Sequence, residues 1–168
     1  LSIDADLRPE GKQGPMVRTL ESYREYYLRW AEVWERQALL RARPVAGDDE
    51  VAAEFLEIID PLRYEKGLSE AEAVQIRRIK ARVEGERLPR GADPTRHLKL
   101  GRGGLSDVEW LVQLLHLRHA PELPEVRTTE TVAALNGLAK HGILPEEDAQ
   151  ILKEAWLLAT RIRSGQVI

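Results

Sequence analysis

The stretch from Ser106 to Leu117 most narrows what this chain can fold into. Read at 3.6 residues per turn, Val108, Trp110, Leu111, Val112, Leu114, Leu115 and Leu117 cover nearly every side of a helix. A helix with no polar face has to be surrounded, so the sequence predicts a bundle built around it. The neighbours are legible on both sides. Ser69 with Glu72 reads as a capping box ahead of Ala73, Ile76, Ile79 and Val83, a stripe that runs to Gly85. Thr129 to Lys140, and then Glu146 to Arg163 with Ile151, Leu152, Ala155, Trp156, Ala159 and Ile162, read as two further helices. Their short connections favour antiparallel packing. Ser106 and Glu109 read as a second capping box, at the start of the apolar helix itself.

Towards the N-terminus, Thr19 is expected to cap one long helix whose Tyr23, Tyr27, Trp30, Trp34 and Ala38 form an aromatic core stripe, ending before Pro44 and Gly47. Asp48 opens another, with Val51, Phe55, Ile58 and Ile59, ending near Pro61. The first eight residues differ. Leu1, Ile3, Ala5 and Leu7 alternate with Ser2, Asp4, Asp6 and Arg8, as in a half-buried strand, before Pro9, Gly11, Gly14 and Pro15 break the chain into a loop. One strand cannot pair with itself, so its sheet is expected to be missing or reduced to a remnant. The expected fold is mainly α: a helical bundle over residues 69–168, a long helix packed beside it, and a remnant strand. A division into residues 1–47 and 48–168 follows. The start on Leu1 and the end on GQVI suggest a piece of a longer chain.

Composition closes off several functions. The net charge is -3, which opposes generic duplex binding, so no nucleic acid partner is expected. With no cysteine there is no disulfide, thiolate metal site or cysteine nucleophile, which fits a reducing, cytoplasmic setting. No apolar run nears the ~20 residues of a membrane span, and the N-terminus lacks the pattern of a signal peptide.

Three groups of residues could carry chemistry. Asp4 and Asp6, two apart on a strand, project to one side and could share a hard divalent cation such as Mg2+, as phosphoryl and nucleotidyl transfer require. On this short and common pattern alone, an ordinary solvent-facing acidic edge strand is the favoured explanation. In LKLGRGGLSDVEW, Gly101, Gly103 and Gly104 precede a helix start, where free N–H groups favour an anion, and Lys99 and Arg102 add charge. The capping box alone also explains this helix start. Asp107 there could cap, hold a metal-bound water or face solvent. In WERQALLRAR, Arg36, Arg41 and Arg43 could grip phosphate, or form a solvated face with intrahelical pairs to Glu35. The run Arg77, Arg78, Lys80 and Arg82 reads as a solvated face. His116 and His119 lack the spacing of a histidine metal site.

The order of these segments is more specific than any one of them. D-x-x-L-R-P-x-G at residues 4–11, W-E-x-Q-A-L-x-R-A-R at 34–43 and G-G-L-x-D-V-E at 103–109 together resemble the bacterial glutamine synthetase adenylyltransferases. The resemblance covers essentially the whole chain. It implies a polymerase-β-type nucleotidyltransferase fold followed by a helical bundle, with a G-S motif and a first acidic pair lying upstream. Residues 1–47 would then be the end of the catalytic domain. Asp4 maps onto the third acidic metal ligand; many relatives carry a basic residue in place of Asp6.

The resemblance further implies that Arg8 and Gly11 lie beside the site, with Glu35, Arg41 and Arg43 on the adjoining helix. Arg8, Lys99, Arg102, Gly103 and Gly104 are the candidate ATP contacts. The implied reaction transfers AMP from ATP to a tyrosine of glutamine synthetase with Mg2+, and a second head of such enzymes removes the AMP by phosphorolysis. D-V-E-W and R-T-T-E-T-V-A-A-L favour the adenylylating head. Glutamine synthetase and the PII signal protein are the implied partners. With one carboxylate strand, the chain alone is expected to be inactive. The alternatives are a non-catalytic module docking glutamine synthetase or PII, and a part of a PII uridylyltransferase.

Overall fold

The computed structural model describes residues 5 and 7–165. The expected strand falls mostly outside them, Asp4 and Asp6 included, while its last residues, Leu7 and Arg8, lie in a turn. Among the described residues there is no strand, and seven α-helices follow one another: α1 (Leu20–Trp30), α2 (Val33–Leu39), α3 (Asp49–Asp60), α4 (Glu70–Arg87), α5 (Leu105–His119), α6 (Thr131–Lys140) and α7 (Glu146–Arg163). The mainly α fold is as the periodicity predicts.

Most helices begin where a side chain can satisfy their free amides. Thr19 Oγ1 accepts from Ser22 N, Asp48 Oδ1 accepts from Glu50 N and Val51 N, and Ser69 and Glu72 form the expected reciprocal box. The single long helix expected after Thr19 is instead two. Ala31 and Glu32 take extended ψ values of 112° and 157°, and Glu32 starts α2 through a capping box with Glu35. Here two glutamates three apart form the box in place of the usual Ser or Thr with Glu, a signal masked in the sequence by the aromatic periodicity across it. The break divides the stripe. Tyr27 is buried and Tyr23 half-buried, but Trp30 stands 68% exposed, so the tryptophan half of the expected core faces outward.

The third helix ends at Asp60, just ahead of Pro61 as expected, but the chain does not straighten there. The chain continues through a π-helical turn, Pro61–Glu65, closed by Lys66 N donating to Pro61 O at 3.2 Å. That turn buries Arg63 and Tyr64, and Arg63 donates to Leu39 O and Ala42 O at the end of α2.

Three cores result. Tyr27, Leu39, Ile58 and Ile59 join α1 and α2 to α3. Val33, Leu40, Tyr64, Ile76, Leu117 and Leu138 join α2, the π turn, α4, α5 and α6. Val108, Val112, Ala134 and Leu135, with Leu152 and Trp156, join α5 to α6 and α7. The α5 helix, apolar on nearly every side, is therefore central, touching α2, α4, α6 and α7. Because α2 supplies Val33 and Leu40 to the second core, the bundle begins earlier than residue 69.

Candidate functional site

The glycine segment before α5 is held by close backbone approach. A Cβ at Gly101 would lie 2.5 Å from Pro94 O, and one at Gly104 would lie 2.8 Å from Leu98 O; Gly103 has open space but a φ of +72°. The amides that could have cradled an anion are taken. Gly103 N donates to Asp107 Oδ2, Gly104 N to Gly101 O, Leu105 N to Leu98 O, Ser106 N to Lys99 O and Asp107 N to Gly104 O. Helix α5 starts from Gly104 with no side-chain cap on that residue, and Ser106 is buried one residue inside. The reciprocal Ser106–Glu109 box is therefore absent, and Asp107 fills its place by reaching back to Gly103. Any nucleotide contact here falls to the side chains of Lys99 and Arg102, both exposed.

Asp107 also pairs with Lys80, whose ammonium lies 2.5 Å away and meets Glu84 on its own helix. Burial pushes the Asp107 carboxyl up, but the Lys80 ammonium and the Gly103 amide outweigh it and hold it below the usual carboxylate range. Burial likewise works against the charged Lys80, yet its two acidic partners raise its pKa. Of the basic run on α4, Lys80 is thus a tie to α5, while Arg77, Arg78 and Arg82 are exposed.

In the W-E-x-Q-A-L-x-R-A-R helix Glu35, Arg36 and Gln37 turn inward rather than to solvent. Glu35 is buried, accepts from Tyr26 Oη at 2.9 Å and caps Glu32 N. Arg36, 1% exposed, donates to Leu62 O, to Gly67 O and to Glu72. Burial lowers its pKa against the opposing pull of Glu72. Arg41 reaches Glu109 and Thr131, both at 3.4 Å, and so bridges α2, α5 and α6. Arg43 stays exposed. Arg8 donates to Ala5 O and Gly14 O, holding its own loop.

Sequence reasoning missed an opening beside this helix. A cavity of about 430 Å³ is lined by Leu7, by Trp34 and Gln37 of α2, by Arg82 and Arg87 of α4, and by Trp110 and Gln113 of α5. Arg8, Lys99 and Arg102 do not line it. Gln37, buried among apolar neighbours at 4% exposure, was the available signal: a carboxamide inside a core stripe needs a partner, and it donates to Gln113 at 2.7 Å. Among the described residues no three His, Cys, Asp or Glu side chains are grouped to hold a metal.

Two families of nucleotidyl-transferring proteins match successive parts of this architecture. Residues 1–58 match the glutamate-ammonia ligase adenylyltransferase family, and residues 75–165, from α4 into α7, match the GlnD PII-uridylyltransferase family. Over the whole chain, identity is 62% to the bifunctional glutamine synthetase adenylyltransferase/adenylyl-removing enzyme of Streptomyces avermitilis, 59% to that of Streptomyces coelicolor and 56% to that of Mycobacterium leprae. The chain belongs to the family of bifunctional glutamine synthetase adenylyltransferases/adenylyl-removing enzymes. It spans about 17% of the length of these relatives.

Proposed function

We propose that this chain is the acid-bearing end of a catalytic domain together with the helical module that follows it, in a head that moves AMP between ATP and a tyrosine of glutamine synthetase. The observation carrying this reading is identity of 62% over the entire chain to a relative named for adenylylation and adenylyl removal. The switch between family matches, from residues 1–58 to residues 75–165, supports a catalytic segment followed by a helical one. The family matches change between residues 58 and 75, past the expected division at residue 47, while α2 ahead of it packs into the bundle core.

Within this reading, Asp4, with Asp6 beside it, supplies carboxylate oxygens to Mg2+. The described residues offer no alternative metal cluster, and two acids at i and i+2 suit a hard cation. Bound magnesium would neutralise the triphosphate and acidify the attacking hydroxyl. Lys99 and Arg102, exposed ahead of α5, are free to meet phosphate from the side. Arg8 and the Gly103–Gly104 turn shape that margin through the backbone. The PII protein as a partner draws support from the match of the helical module to a PII-uridylyltransferase family. A cytoplasmic setting fits the absence of cysteine. Among the described residues no helix is long and apolar enough to cross a membrane.

The test is a graft. This chain replaces the corresponding segment of the Streptomyces avermitilis relative, and transfer of labelled AMP from ATP to glutamine synthetase is measured with magnesium. The expected result is transfer by the graft, its loss in Asp4→Asn, and none by the 168-residue chain alone. A folded graft that transfers equally well with Asp4→Asn would overturn the reading.

A further inference from the structure

We infer that the cavity between α2, α4 and α5 is a base-and-phosphate subsite for a nucleoside phosphate, with Trp34 and Trp110 taking the base and Arg82 and Arg87 the phosphates. The inference rests on the nucleotidyl-transfer reading above and adds a place and a set of residues to it. Its chemistry comes from three kinds of side chain meeting in one opening.

Two indoles line the cavity, and Trp34 keeps 37% of its surface exposed at the opening. A flat, hydrophobic, electron-rich wall is what a nucleobase stacks on. Beside the indoles stand Gln37 and Gln113. Gln37 Nε2 donates to Gln113 Oε1, and no other hydrogen bond of either carboxamide occurs among the described residues. Each carboxamide can both donate and accept, so the pair leaves Gln37 Oε1 as an acceptor and the Gln113 amide as a donor. A donor beside an acceptor is the pattern needed to read the edge of a base.

The rim carries Arg82 and Arg87, both exposed and with no ion pair among the described residues. Guanidinium groups bind phosphate oxygens two at a time, which favours a phosphorylated occupant over a neutral nucleoside. The volume of about 430 Å³ falls in the usual range for a small-ligand site. Leu7 closes one side of the cavity. A comparable cavity of about 450 Å³ between α1 and α3 fits less well, because no indole lines it, its Arg18 is already engaged by Ser22 and Glu10, and Asp48 stands with Arg43 on its rim. A groove filled only by apolar polypeptide would leave the two unpaired arginines and the open carboxamides without use.

The first measurement uses the indole N–H signals of the 168-residue chain, which has four tryptophans. Millimolar ATP should shift the signals of Trp34 and Trp110 and leave those of Trp30 and Trp156 in place, while inorganic tripolyphosphate should move the indoles far less. No shift of Trp34 and Trp110, or equal shifts with tripolyphosphate, overturns the subsite; the former is the outcome if polypeptide fills the groove. In the graft, the double variant Arg82→Ala/Arg87→Ala and the variant Trp34→Leu should each raise the KM for ATP at least tenfold with kcat within about threefold. The KM for glutamine synthetase should not move. A graft that transfers AMP with an unchanged KM for ATP in these variants defeats the subsite and leaves the reaction standing. A graft that transfers nothing, while ATP still moves the two indoles, defeats the reaction and leaves the subsite.

Discussion

Replacing Arg36 by alanine should cost this fold about 4 kcal/mol, far more than a change in charge alone. Its guanidinium is 1% exposed and donates to Leu62 O at 2.9 Å, to Gly67 O and to Glu72 Oε1 at 2.8 Å. Those partners lie after α3 and at the start of α4, so one side chain on α2 fixes the turn between them. Removing one member of such a buried pair costs about 3–5 kcal/mol, because the polar groups left behind lose their donors. Here two carbonyls and part of a carboxylate are stranded, while water entering the vacated space offsets some of the loss. Urea unfolding followed by far-UV circular dichroism measures the change. With a slope of about 2 kcal/mol per molar, the midpoint should fall by about 2 M. Arg36→Lys keeps the charge but loses the fork and should lie near half of that. Glu72→Gln keeps an acceptor for Ser69 and should cost only about 1 kcal/mol. A loss below about 1 kcal/mol for Arg36→Ala would refute the claim that this arginine locks the turn.

Further outcomes follow from the same geometry. Gly101→Ala forces a Cβ to 2.5 Å from Pro94 O and should destabilise by more than about 2 kcal/mol, whereas Gly103→Ala meets open space and should cost only the ~1–2 kcal/mol of a positive φ; thermal unfolding of the two variants ranks them. His116 is buried with its Nε2 unpartnered, and burial lowers its pKa to about 4 despite a hydrogen bond with the Val126 backbone. Its pKa in the folded state lies below its ordinary value, so its neutral form stabilises the fold at pH 7 and that contribution fades as pH falls from about 6.5 to about 4. Unfolding free energies across that window should fall more steeply for the parent than for His116→Gln. Trp30→Ser, at a side chain 68% exposed, should change stability by no more than about 0.5 kcal/mol.

The fold was readable where apolar spacing and caps agreed. Ser69 with Glu72 and Asp48 ahead of Glu50 mark true helix starts, and the apolar ring of α5 does sit at the centre. It was unreadable where two local signals competed. The aromatic repeat through Trp30 and Trp34 suggested continuity, while Glu32 and Glu35 supplied a cap that won because tertiary contacts needed Val33 and Leu40 on the far side of a bend. At the candidate site the glycines were correctly seen as special, but their partners were hidden. Nothing in the letters tells that Leu98 O and Lys99 O fold back onto the first amides of α5. Gln37 and Gln113, 76 residues apart, meet only because α2 and α5 cross.

The π turn at Pro61–Glu65 makes one rod answer to two cores. Ile58 and Ile59, just before it, are buried against Tyr27 and Leu39, while Tyr64, within it, is buried against Val33 and Leu117. The wider winding of the turn changes the angular phase of the chain, so groups that an unbroken α-helix would aim elsewhere face inward on both sides. Arg63 then grips the end of α2 through Leu39 O and Ala42 O, with its guanidinium carbon 4.6 Å from the centre of the Tyr64 ring. The rod works as a torsion shaft with a key at each end. Rotation that loosens the α1–α3 packing would also turn Arg63 and Tyr64 against α2 and the bundle core.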